Sequence, residues 1–133
     1  MHIISKILVG LIATIHSYIL VFEMFLWESR GPKVFSSFPA DLFAPTKVMA
    51  ANQGLYNGFL AAGLFWALLF IKDTAWKSKV ALFFLSCVAV AGIFGAMTAS
   101  RNIFIVQALP AILAILSVLA LKPKSSNGRA SDN

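Results

Sequence analysis

The chain has 133 residues, of which 59% are hydrophobic and 12% are charged, and its mean hydropathy is +0.84. Soluble domains carry roughly 25% charged residues, so this composition excludes an ordinary soluble domain. The net charge is +6, but the sequence contains no RNA- or DNA-binding pattern. We therefore expect a lipid bilayer as the main partner and no nucleic-acid partner.

Four apolar runs follow one another along the chain, and each comes close to the roughly 20 residues that a helix needs to cross a bilayer. They predict an all-α polytopic membrane protein, an antiparallel four-transmembrane-helix bundle, in a single domain of residues 1–122. The runs are residues 7–26, 48–71, 80–99 and 103–121. Pro110 lies in the fourth run, where neighbouring helices can satisfy the carbonyl that it leaves free.

The positions of the basic residues predict the orientation of the bundle. Lys and Arg are more frequent in cytoplasmic segments than in external ones, and one side of the bundle holds seven of them against four on the other. We predict a plasma-membrane protein with both termini in the cytoplasm and a disordered cytoplasmic tail at residues 123–133. The seven are Lys6, Lys72, Lys77, Lys79, Lys122, Lys124 and Arg129, and the four are Arg30, Lys33, Lys47 and Arg101.

The predicted outer loop, residues 27–47, combines helix-breaking residues with aromatic ones. Gly31, Pro32 and Pro39 argue against one continuous helix, whereas a solvated linker would not need Phe35 and Phe38. We expect the loop to lie on the membrane interface or to fold over the mouth of the bundle.

The third run repeats small residues at a spacing of four, in Ala91, Gly95 and Ala99. This spacing favours close helix packing, either inside one bundle or between two copies in a homodimer. Cys87 is the only cysteine, so an internal disulfide or a cysteine-based metal site is excluded. We expect neither a metal nor a cofactor.

His16 and Glu23 are seven residues apart in the first run, which places them two turns apart on one helix face. His16 falls near the middle of the run, and Glu23 falls within a turn of its outer end. A carboxylate inside a membrane normally marks an interior partner or a cavity. The alternative is that Glu23 sits among the lipid headgroups, paired with Arg30, Lys47 or Arg101.

The second run carries a group of four polar residues near its outer end. They span an arc of about 140° on a helix, and they would serve either as hydrogen-bonding contacts between helices or as the lining of a pocket. The fourth run adds Gln107 at a similar level. We predict that a ligand-binding cavity in the outer half of the bundle is formed by Glu23, Asn52, Gln53, Tyr56, Asn57 and Gln107, with His16 as its floor.

Several stretches, together covering the chain to about Leu121, resemble a family of small membrane proteins known as domain of unknown function 1304. The resemblance implies four membrane helices and no particular activity. It rests on His16-Ser-Tyr-Ile, Glu23-Met-Phe-Leu-Trp27, Arg30-Gly-Pro-Lys-Val-Phe35, Asn52-Gln-Gly-Leu-Tyr-Asn57, Ala91-Gly-Ile-Phe-Gly-Ala-Met-Thr98 and Gln107-Ala-Leu-Pro-Ala-Ile-Leu113.

Three functions are compatible with these patterns. The first, which we favour, is the binding or transport of a small solute, with Glu23 as a carboxylate that responds to protons or cations. The second is a membrane-embedded enzyme in which His16 and Glu23 act as acid and base on a lipid or quinone-like substrate. The third is an accessory or structural subunit of a larger complex.

Overall fold

The computed structural model describes residues 1–121, and no strand occurs in that part of the chain. The prediction of an all-α protein is therefore confirmed, whereas the predicted tail of residues 123–133 lies outside the described residues. The α-helices are α1 (Ile3–Phe25), α2 (Trp27–Val34), α3 (Lys47–Leu69), α4 (Thr74–Thr98) and α5 (Leu109–Ala120). A 3-10 turn occupies Ala40–Leu42, and a π-helical segment occupies Phe104–Ala108 directly before α5.

Two of these helices, α1 and α4, are long and apolar enough to cross a membrane. The stretch Phe104–Ala120 is also apolar but shorter. Helix α3 has the same length as α1, 23 residues, and differs by carrying polar residues in its first half. The four apolar runs of the sequence thus coincide with α1, α3, α4 and the π-segment with α5, with helix ends that differ by up to six residues.

Helix α1 packs along α3, α3 against α4, α4 against the π-segment and α5, and α5 against α1. The helices therefore form a ring in which neighbours run antiparallel. We call the end where α1 finishes and α3 begins the loop end, because residues 26–46 connect the helices there. The opposite end, where residues 70–73 connect α3 to α4, is the turn end.

The buried apolar core lies towards the turn end of the bundle. Val9, Ile12, Leu64 and Leu85 are fully or almost fully buried there, together with alanines that bring the helices close to one another. Burial of each large aliphatic side chain stabilises the fold by roughly 1.5–3 kcal/mol in water. In a bilayer the same residues act through close packing, since lipid is as apolar as the core.

An aromatic cap covers the loop end. Trp27 is its centre, with ring centroids of Phe35, Phe38 and Phe43 at 5.8, 6.2 and 5.1 Å. The Trp27 indole N–H donates to Thr46 Oγ1 at 3.0 Å, which ties the start of α2 to the residue before α3. The loop packs onto Phe22 of α1 through Trp27 and Phe35. It is not one continuous helix, but Gly31 and Pro32 lie inside α2 and do not interrupt that helix.

Pro110 explains the π-helical segment that precedes α5. Proline has no N–H, and its ring displaces the carbonyl four residues earlier. The helix responds by widening, so that the N–H of Leu109 donates to Phe104 O, five residues back. The backbone of the widened segment approaches α4 closely: a Cβ added to Gly92 would lie 2.7 Å from Ala108 N.

Of the small residues proposed for a homodimer, Gly95 contributes to packing within the chain. A Cβ at Gly95 would lie 3.2 Å from Ile103 Cγ2, whereas Ala91 and Ala99 are exposed. The homodimer stays a prediction, and any such interface would use the exposed alanines rather than Gly95.

Replacement of Gly92 by alanine tests the approach of α4 to the π-segment. We expect Gly92→Ala to lower the free energy of unfolding by about 1–3 kcal/mol, because the added methyl meets backbone that can move only with the whole helix. The matched control is Gly10→Ala, whose new methyl would meet Leu68 Cδ1 at an ordinary 3.6 Å. Equilibrium unfolding in detergent micelles measures both, and equal stability of the two variants would contradict the packing.

Candidate functional site

The centre of the candidate site is a hydrogen bond between α1 and α3. Asn57 Nδ2 donates to Glu23 Oε2 at 2.9 Å and also to the carbonyl of Gln53 at 3.1 Å. Asn57 is 7% exposed, and Glu23 is partly buried. The side-chain amide is thereby fixed by its own helix and presents its second N–H to the carboxylate.

Two glycines of α3 allow this arrangement. A Cβ at Gly54 would lie 2.9 Å from Met24 Cγ and 3.0 Å from Glu23 Cβ, and a Cβ at Gly58 would lie 3.0 Å from Leu20 Cδ1. Larger residues at either position would push α1 away from α3. The close approach of the two helices therefore depends on Gly54 and Gly58, and it places Asn57 beside Glu23.

Glu23 lies deeper in the bundle than its place on α1 indicated. Its partner Asn57 follows Lys47, the first residue of α3, by ten residues, a rise of about 15 Å along the helix axis. Helix α3 thus extends past the end of α1, and Thr46, directly before it, accepts a hydrogen bond from Trp27 of the aromatic cap. Glu23 is within a turn of the end of α1, as expected from the sequence, but the bundle continues past that level along α3.

Glu23 has no cationic partner among residues 1–121. The ion pair in this part of the chain joins Lys47 Nζ to Glu28 Oε1 at 2.6 Å, and both side chains are well exposed. Lys47, one of the three cations considered for Glu23, is thus paired with Glu28. Neither Arg30 nor Arg101 forms an ion pair with Glu23. The interpretation of Glu23 as a headgroup-level ion pair is not supported.

His16 lies below Glu23 on the same face of α1, about 10 Å nearer the turn end along the helix axis. It is 1% exposed, and its Nδ1 is 2.9 Å from the carbonyl of Ile12. A carbonyl accepts only from a protonated nitrogen, so Nδ1 carries the hydrogen and Nε2 of the neutral ring is an acceptor. That Nε2 is buried without a hydrogen-bond partner in the described part of the chain.

The other predicted residues are not all gathered around Glu23. Asn52, Gln53 and Tyr56 are exposed, and Gln53 contributes its backbone carbonyl to Asn57 rather than its side chain. Gln107, in the π-segment, makes a long hydrogen bond of 3.4 Å from Nε2 to Val88 O of α4. The arc of polar residues on α3 is wider than its contact with α1, so only Asn57 at the edge of the arc is buried.

Helices α3 and α4 are in contact near their middle. Further towards the loop end, the faces of both helices that continue from this contact are exposed. The ring of Phe84 on α4 lies directly against Gly63 on α3. Seven residues towards the loop end on each helix, which is two turns on the same face, Tyr56 is 59% exposed and Ala91 is exposed. We call this gap between α3 and α4 the side opening.

The side opening was not predicted from the sequence. The signal that could have indicated it is the seven-residue spacing of Tyr56 from Gly63 and of Ala91 from Phe84, which places each pair on one helix face.

Tyr56 lies about level with Glu23, because it directly precedes Asn57, the partner of Glu23. Ala91 lies about level with Gln107, because Gly92, the residue after Ala91, packs against Ala108, the residue after Gln107. The predicted site residues Glu23, Tyr56, Asn57 and Gln107 thus lie at a similar level of the bundle, together with Ala91, which was not predicted as a site residue. They lie beside the side opening, whereas the sequence predicted a cavity in the outer half of the bundle without locating its opening.

Two shallow concavities are present on the described surface, and the second includes Ala91 of the side opening. One is lined by Ile93, Ala96, Met97, Arg101, Phe104 and Ile105, and the other by Phe83, Ser86, Cys87, Val90, Ala91 and Phe94. None of the seven predicted site residues lines either one. Residues 1–121 also contain no group of three or more His, Cys, Asp or Glu side chains that could hold a metal ion.

Comparison with known proteins identifies the family. The family described as protein of unknown function (DUF1304) matches residues 10–119. The chain belongs to the DUF1304 family. It is 32% identical over 119 residues to uncharacterized protein YpaA of Lactococcus lactis subsp. lactis (strain IL1403), an alignment that covers 88% of this chain and 98% of YpaA. No solved structure matches the chain.

The family prediction made from the sequence motifs is therefore confirmed for this DUF1304 protein. Its matched region contains all seven candidate site residues, from His16 to Gln107. Because the family is of unknown function, the assignment names no activity. The chemistry of Glu23 and its surroundings has to indicate one.

Proposed function

We propose that this DUF1304 protein is a four-span membrane protein that binds or transports a small organic cation, with Glu23 as the anionic group of the site. The site lies in the loop-end half of the bundle, which faces the outside of the cell. Asn57 positions the carboxylate, and Tyr56 offers an aromatic face at the same level. Both termini lie in the cytoplasm, in agreement with the distribution of basic residues.

The observation that carries the proposal is a partly buried carboxylate that has one amide donor and no cationic partner among residues 1–121. An ionised carboxylate away from water needs an opposite charge or several hydrogen bonds, and Asn57 supplies a single neutral one. A bound cation would complete the site. The Tyr56 ring would add to the attraction, since cations bind to aromatic faces with about 0.5–2 kcal/mol.

The four-span arrangement is supported by the way in which the helices pack. Helices α1 and α4 have the length and composition to cross a membrane, and α3 packs against both of them, most extensively against α1. The π-segment and α5 together contain 17 residues, Phe104–Ala120, a rise of about 25 Å. A span somewhat shorter than the bilayer core is accommodated by local thinning.

The enzyme hypothesis receives less support from this geometry. It requires His16 and Glu23 to act on one substrate bond, yet His16 is 1% exposed and lies about 10 Å away along α1. The Nδ1 atom of His16 is also occupied by the Ile12 carbonyl. We therefore assign His16 no role in the proposed binding step.

Binding of tetramethylammonium to the protein in nanodiscs tests the proposed site. We expect Glu23→Gln to weaken binding by about tenfold or more, a loss of about 1.4 kcal/mol, because the amide keeps the shape but has no charge. Wild-type binding should also fall as the pH is lowered and Glu23 takes up a proton. Equilibrium dialysis, corrected for empty nanodiscs, gives both quantities.

The matched control for this experiment is Glu28→Gln. Glu28 is a carboxylate five residues further along the chain, exposed and paired with Lys47, and its replacement should leave binding unchanged. A wild-type protein that binds no tetramethylammonium would contradict the proposed function. Equal effects of Glu23→Gln and Glu28→Gln would show that the cation responds to surface charge and not to this site.

Cysteine labelling in intact cells tests the four spans and their orientation. In a Cys87→Ser background, we expect Ser36→Cys in the loop to react with a membrane-impermeant maleimide from outside. Lys72→Cys, in the connection between α3 and α4, should react only after permeabilisation. Both positions are exposed, so the opposite pattern, or labelling of both from the same side, would overturn the topology.

A further inference from the structure

The side opening gives the proposed cation site an entrance from the lipid. Phe84 fills the space against Gly63 and closes the gap between α3 and α4 towards the turn end. Above this contact Tyr56 and Ala91 are exposed on the two facing surfaces. A molecule in the bilayer could therefore reach the level of Glu23 between α3 and α4 without passing the aromatic cap.

The walls of the side opening change from apolar to polar with distance from the lipid. Phe59, whose ring centroid is 6.3 Å from that of Tyr56, and Phe94 are 58% and 66% exposed, one on each helix. Behind them, on the side of α3 that turns towards α1, lie Gln53 and then Asn57 with Glu23. The opening is thus apolar at its rim and acidic at its inner end.

We propose that the ligand of this site is an amphiphilic cation, an ammonium group that carries an alkyl chain, which enters sideways through the side opening. The proposal rests on the cation site at Glu23 and adds the ligand's apolar part and its route. The ammonium group lies against Glu23 and Tyr56, which match its charge. The alkyl chain lies between α3 and α4 and extends past Phe59 and Phe94 into the lipid.

The identity of the ligand follows from charge and from the direction of the opening. A small hydrophilic cation gains nothing from an apolar rim, and a neutral lipid gains nothing from a carboxylate. An amphiphilic cation is oriented by both, since it concentrates in the bilayer through its chain. The side opening then only has to accept the chain beside Ala91, where the α4 side chain is a single methyl group.

Two probes with the same head group separate the entrance from the site. The probes are tetramethylammonium and decyltrimethylammonium below its micelle-forming concentration, each measured by equilibrium dialysis with the protein in nanodiscs and with empty nanodiscs. We expect Ala91→Trp to weaken decyltrimethylammonium binding by about tenfold or more and to leave tetramethylammonium binding within about twofold of wild type. Ile93→Trp is the matched control, because Ile93 lies two residues further along α4, is 42% exposed and lines the other concavity with Phe104 and Ile105.

A modification made after folding removes the concern that Ala91→Trp disturbs the bundle. In the Cys87→Ser background, Ala91→Cys is reacted with benzyl methanethiosulfonate once the protein is in nanodiscs. The bulky group should abolish decyltrimethylammonium binding selectively, and a reductant that removes it should restore binding. Selective loss and recovery would support an alkyl chain that lies in the side opening, because equilibrium binding reports where the ligand lies.

The outcomes distinguish the two proposals. If wild type binds neither probe, or binds both independently of Glu23, the proposed function fails. If tetramethylammonium binds in a Glu23-dependent way while blockage at Ala91 leaves decyltrimethylammonium unaffected, the cation site stands and the sideways entrance is overturned. Equal loss of both probes on blockage would also overturn it, since bulk at Ala91 would then act on the head-group site.

Discussion

The close approach of α1 and α3 is the constraint on which the rest of the structure depends. Gly54 and Gly58 allow Leu20 and Glu23 of α1 to lie against the backbone of α3, and the Asn57 to Glu23 hydrogen bond of 2.9 Å joins the helices at that level. The pair then presents one apolar surface to α4 and α5 at the turn end. Towards the loop end, Tyr56 of α3 and Ala91 of α4 are exposed and form the side opening.

The bundle is therefore divided into halves with different physical roles. The turn-end half is held by a dry core in which Leu64 and Leu85 are fully buried, and it supplies the stability of the fold. The loop-end half relies on glycines, on the π-segment before Pro110 and on the aromatic cap. That half can retain an uncompensated carboxylate because the core beneath it does not depend on that group, which is the condition for a binding site.

The sequence predicted the helices well, but it did not predict which residues of neighbouring helices contact one another. The apolar runs and the seven-residue spacing of His16 and Glu23 are each properties of a single helix. Periodicity in the sequence was therefore sufficient to predict the helices and the shared face of these two residues. The pairing of Glu23 with Asn57, rather than with Asn52, depends on how α3 is rotated and shifted against α1. Glycines decide both, and their effect becomes visible only when two helices are considered together.

The contact between α1 and α3 is tested most directly by a double-mutant cycle of Glu23→Ala and Asn57→Ala, with unfolding free energies determined in detergent micelles. We predict a coupling of about 0.6–2 kcal/mol between the two positions, the range of side-chain hydrogen bonds between membrane helices. The parallel cycle of Glu23→Ala with Asn52→Ala, an exposed amide of the same helix, should show none. Effects of Glu23→Ala and Asn57→Ala that simply add would contradict this contact.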